Sequence, residues 1–322
     1  LSSQAHTEGD IFVGTTVTIA GFDPATTVVQ ADANPWTATV PVFVIVNGAT
    51  VTMQQLTIRH GGGAFGGGVN ILDGHLVLNS AHVELNEATG EGGGIFVPAG
   101  GSLEIVDSWV GSNRAGDHGG GISNAGTAEI MGSWVNDNTI PLGLSGEKSG
   151  GGILNRGDLT LSASQVGGNV VNGSFQDDAL GGGLCHEGTS LVVEDASISG
   201  NLVDGGQPNQ GGGIFLGGSM PVTISRTSIR NNDANKGGGL SLHQGDLIVE
   251  DCTISNNTAS WIGGGLELFH FPPSLASIVH TTIRSNQASV GGGLAARSGG
   301  VTRIVNSTVS GNSATDDAGG LF

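Results

Sequence analysis

Ten times along the chain a run of glycines hands over to an aliphatic residue: Gly66-Gly67-Gly68-Val69, then three glycines ahead of Ile95, Ile122, Ile153, Leu184, Ile214, Leu240, Leu266 and Leu294, and finally Gly319-Gly320-Leu321. The aliphatics stand 26, 27, 31, 31, 30, 26, 26, 28 and 27 residues apart. A period that drifts while its landmarks persist requires a solenoid, whose stacked units accept loops of different length.

Each unit also carries an asparagine three residues after an aliphatic: Asn86, Asn113, Asn138, Asn169, Asn201, Asn232, Asn257, Asn286 and Asn312. Between the landmarks the pattern alternates with period two in short pieces broken by Gly and Asn, as in Leu103-Glu104-Ile105-Val106. That is the pattern of several short strands per unit and of no helix. A single unit cannot bury its apolar face, so units stack at the strand spacing of about 4.8 Å. The expected fold is all-β, a right-handed parallel β-helix of about eleven coils of 26–31 residues. Stacking places Leu103, Ile105 and Val110 inside, with Ser108, Ser133, Ser164, Ala196, Thr227, Cys252, Thr281 and Ser307 as small inward residues. The asparagines are expected to form a structural ladder that closes one turn, through their tolerance of left-handed backbone and hydrogen bonds to the neighbours above and below, and the glycines to close another where a Cβ has no room. Residues 1–50 lack the triple glycine and are expected to form a cap and an irregular first coil, with 51–322 as the repeats.

Sixty glycines, no tyrosine and only 12% charged residues in 322 describe one long solenoid core. Twenty-eight acids against ten bases give a net charge of -18, which argues against nucleic acid and anionic membranes as partners. The longest apolar run, Val40 to Val46, is too short to span a bilayer, so no membrane insertion is expected in this segment. Cys185 and Cys252 fall two coils apart on different walls, beyond disulfide reach.

Glycines ahead of an aliphatic, followed by segments such as Ile254-Ser-Asn-Asn257-Thr-Ala259 and Val309-Ser-Gly-Asn312-Ser-Ala314, resemble the repeats of chlamydial polymorphic membrane proteins and their environmental bacterial relatives, with their Gly-Gly-Ala-aliphatic and Phe-x-x-Asn motifs. The resemblance covers about residues 50–322. Here the third position is Gly instead of Ala, and Val or Ile replaces the aromatic. The resemblance implies a secreted or surface-displayed β-helix, an adhesive passenger or part of a larger surface protein.

For function, the expectation is an extracellular or cell-surface structural or adhesive protein that assembles with itself head to tail or within a larger surface protein, with glycans as candidate ligands. The alternative is a carbohydrate-active enzyme, a polysaccharide lyase or glycoside hydrolase. Its acid–base residues would be Asp195, Arg226, Asp251 and His280, stacked on four successive coils; the competing reading is a surface ladder of alternating charge. Trp109 and Trp134 share an outward column between His82 and Gln165 and are candidates for stacking on sugars or on each other. Phe96, Leu154, Cys185 and Phe215 form a second outward column, an interface or a surface covered by loops, and Leu321-Phe322 is a further candidate interface. Asn124, Asn155 and His186 stack as a turn ladder; one histidine does not make a metal site. No cofactor is expected, and no metal beyond weak surface calcium at acidic turns such as Asp177-Asp178 and Asp316-Asp317.

Overall fold

The computed structural model describes residues 5–143, 146–174, 177–205, 208–219 and 221–322. Its strands wind into a parallel β-helix with four walls. One coil shows the order: Ile95–Val97 on wall one, Ser102–Val106 on wall two, Trp109–Gly111 on wall three, Arg114–Ala115 on wall four. Among the described residues, walls one and two each hold 11 strands and walls three and four each hold 12. Every neighbouring pair within the walls is parallel, and the register follows the landmarks, for example Val69↔Ile95↔Ile122 and Trp109↔Trp134↔Gln165, apart from shifts on wall four at Ala234/Lys236, Thr258/Ile262 and Ala288/Val290.

Because side chains alternate across a strand, Leu103, Ile105 and Val110 point inward and are buried in one continuous core that runs from Val13 to Leu294. The winding begins early. Ala5–Thr7, Ile11–Val13 and Val17–Ala20 already pair with Val28–Gln30, Phe43–Ile45 and Ala49–Gln54 on walls three, one and two, so the first coil lies within residues 5–20.

Two polar ladders run inside the apolar core. Asn86 donates its Nδ2 to Asn113 Oδ1 at 3.0 Å, and the same bond repeats on each coil to Asn312. The left-handed residue of this corner is the one before each asparagine, such as Leu85, Ser112, Asp137 and Asn231. Asparagine is therefore used for its amide, which supplies both donor and acceptor, and not for its backbone tolerance. The second ladder is the small-residue column. Ser108 N–H donates to Ser133 Oγ at 3.0 Å while Ser108 Oγ donates to Val106 O at 2.7 Å, and Thr227, Cys252, Thr281 and Ser307 continue the chain of bonds. These positions are small, and all but Ala196 also supply a polar side-chain atom that satisfies a corner amide.

The glycine corner joins the two landmarks. The first glycine of each triplet has positive φ, as at Gly181 (φ 62°). A Cβ on the third, Gly183, would lie 2.6 Å from Gly213 O and 2.9 Å from Asn201 Nδ2. Glycine there leaves room for the amide ladder.

Candidate functional site

The sharp glycine corner folds the residue before the triplet against the outward side of the strand after it. A Cβ on Gly263 would meet Glu267 Cβ at 2.7 Å, and one on Gly237 would meet Ser241 Cβ at 2.7 Å. Side chains from wall four and wall one therefore meet in a groove that follows the helix axis. Lys236 stands at the groove position of wall four; Lys148, one position earlier on its strand, lies beside the groove, in register with Ala179.

Its first polar group is centred on Arg156. Nη1 contacts both Glu91 oxygens at 3.0 and 3.1 Å, Nε reaches Glu187 at 3.5 Å, and Ser123 Oγ donates to Glu91 Oε2 at 2.8 Å. Burial works against the Arg156 charge, but Glu91 and Glu187 outweigh it and raise its pKa. Lys148 is nearly enclosed and holds Asp117 at 2.6 Å and Gly116 O at 2.7 Å. His118 pairs with Ser149 at 2.8 Å, and burial, then Arg156, lowers its pKa.

Next along the groove comes an apolar stretch of Leu154, Leu180, Cys185 and Phe215. These coils are the longer ones, with the extra residues inserted between Ile140 and Lys148, Gly173 and Ala179, and Gly205 and Asn209. Leu154 and Phe215, expected as candidate interface, are instead 0% and 4% exposed, sealed by side chains of the same chain such as Leu180. Phe96 is half-buried and tilts against Phe65, ring centroids 4.9 Å apart.

The second polar group surrounds Glu267, whose exposure is 0%. Ser241 Oγ donates to its Oε2 at 2.6 Å, and Arg297 Nη2 meets Oε1 at 2.6 Å. The Arg297 guanidinium lies 5.6 Å from the Trp261 ring centre and 5.2 Å from that of Phe269, and Lys236 Nζ lies 4.9 Å from Trp261. His243 packs between Phe215 and Phe269 at 5.3 and 5.4 Å. Burial lowers the pKa of both Lys236 and His243.

The candidates read from the repeat lie elsewhere. Asp195, Arg226, Asp251 and His280 form the left-handed corner column between walls two and three, with φ from 47° to 53°, on the outer surface. Arg226 grips Asp195 with Nε and Nη2 at 2.8 and 3.0 Å and Glu194 at 2.9 Å; His280 and Asp251 stand 3.7 Å apart. The Arg226 hydrogen bond lowers the Asp195 pKa. Glu250, Asp251 and His280 bring ligand atoms within 4.8 Å of one another, all three residues exposed. Trp109 and Trp134 are register partners, but the Trp109 ring packs edge-on against His82 at 5.6 Å and lies over Gly111, while Trp134 is 41% exposed. Asn124, Asn155 and His186 do form a turn ladder: Asn124 Nδ2 donates to Asn155 Oδ1 at 2.7 Å and Asn155 Nδ2 meets His186 Nδ1 at 2.9 Å. Leu321 bridges to Leu294 on wall one, and Phe322 continues that pairing.

The repeat pattern passes over the groove because its residues stand where the repeat leaves identity free: the one or two positions before the first glycine, and the first and third after the aliphatic. The available signal was Glu267, a carboxylate in the same column as Phe96, Leu154, Cys185 and Phe215.

The family description "right handed beta helix region" matches residues 161–321, half of the chain. No curated protein and no solved structure matches it.

Proposed function

The chain belongs to the right-handed β-helix family, and we propose that it acts at a cell surface or in the extracellular space as an adhesive scaffold that binds glycans without turning them over. The observation that carries this reading is the glycine-corner groove. Its charged groups, most of them paired, are held in register by the coil stacking, a rigid polar surface whose recognition costs little ordering. It is flanked by Trp261 and Phe271, 46% and 54% exposed, the type of side chain on which sugar rings pack. The exposed charge ladder from Asp195 to His280 lies on a corner without walls around it, so nothing there excludes water from a reacting bond. The repeat resemblance and the strongly acidic composition fit display outside the cell.

The test is a polysaccharide panel read for both binding and products. Saturable binding with the polymer recovered intact supports the adhesive reading. New reducing ends or unsaturated sugars, lost in Asp251→Ala, would instead establish the enzyme.

A further inference from the structure

The group around Trp261 sets two cations, Lys236 and Arg297, against one buried carboxylate, Glu267. Glu267 accepts from Ser241 on one oxygen and from Arg297 on the other, so its closest ion pair is with Arg297. Arg297 Nε is nevertheless buried without an acceptor. Among the described residues the Lys236 ammonium makes no hydrogen bond or ion pair; its contact is the face of Trp261. In a chain with 28 acids and 10 bases, a cation without a carboxylate is not explained by scarcity of partners. Asp178 is the one further carboxylate whose charge reaches Lys236 and His243, and burial keeps His243 in its neutral form.

The aromatic contacts lead away from these donors in one direction. Arg297 lies over Phe269, Phe269 meets Phe271 edge-on at 5.3 Å, and Phe271 opens onto a hollow of about 430 Å³ lined by Gln244, Asp246, Ser219 and Ser274. Charge-assisted donors at one end and an exposed ring beside hydroxyl-binding amide and carboxylate groups at the other match two parts of a single ligand.

We infer that Lys236 and Arg297 receive the carboxylate or sulfate group of an acidic saccharide whose neighbouring sugar packs on Phe271. This inference rests on the glycan-binding reading and names the class of glycan. Titration calorimetry with oligogalacturonate, a sulfated carrageenan oligosaccharide and neutral maltohexaose tests it on wild type, Lys236→Met and Phe271→Ala. Each variant changes one partly exposed side chain, and its fold is checked by circular dichroism. Saturable binding of an acidic probe, weakened about tenfold or more in each variant and by added salt, is the expected result; which acidic probe binds separates carboxylate from sulfate. Acidic probes bound equally by wild type and both variants, or preference for maltohexaose, would overturn the inference and leave glycan binding standing. Failure to bind any of the three, together with a blank polysaccharide panel, would remove both.

Discussion

At the scale of one residue, the asparagine ladder ties the coils together through four bonds per rung. Asn201 accepts from Asn169 Nδ2 and from the Asn169 N–H, both at 3.0 Å, and donates to Val166 O and Asn232 Oδ1, both at 3.0 Å. Alanine would strip these partners inside the core, so Asn201→Ala is expected to lower unfolding free energy by about 1–3 kcal/mol, measured by reversible denaturation. His186 makes a second prediction. It is fully buried, burial depresses its pKa to about 4 from 6.5, and it takes a hydrogen bond from Asn155 as a neutral ring. As pH falls below 6.5 the unfolded chain binds the proton first, so this contribution is complete above 6.5 and is lost between 6.5 and 4. Its size is on the order of 3 kcal/mol. His186→Asn, which extends the Asn124–Asn155 column, should reduce the pH dependence of stability in that window by one proton. The rungs were legible in the nine-fold spacing alone. So were their hydrogen bonds to the coils above and below; the left-handed backbone was not, since only geometry separates the residue that adopts it, Ser112, from the one that gives its side chain, Asn113.

At the scale of the corner, the glycine triplet and the asparagine are two halves of one device. Gly183→Ala places a methyl against Gly213 O and the Asn201 amide, and overpacking of this kind costs about 1–3 kcal/mol. A midpoint shift of that size with an unchanged denaturant slope is expected; an unchanged midpoint would mean that the corner yields. The same corner explains what the pattern could not reveal. Leu154 and Phe215 alternate as outward residues, and they do point outward from the strand, but the corner brings Leu180 against them. Spacings of 31, 31 and 30 residues marked where chain was inserted. They carried no information about which side chains meet at the corner.

At the scale of the molecule, periodicity dictates the stack, its registers and its continuous core, because every coil must bury the same face against its neighbours. The residues of the proposed site are departures from the period, scattered through the sequence: Lys236, Trp261, Glu267 and Arg297 come from three successive coils and share neither spacing nor motif. Asp195, Arg226, Asp251 and His280 drew notice because they do repeat, and what repeats at that corner is a left-handed backbone residue. The direct comparison of the two faces is hydroxyl-radical footprinting with and without the tightest-binding glycan from the panel. Oxidation of Trp261 and Phe271 should fall on binding while that of Trp109, Trp134 and His280 stays unchanged; protection of Trp134 or His280, with Trp261 and Phe271 unaffected, would contradict binding in the glycine-corner groove.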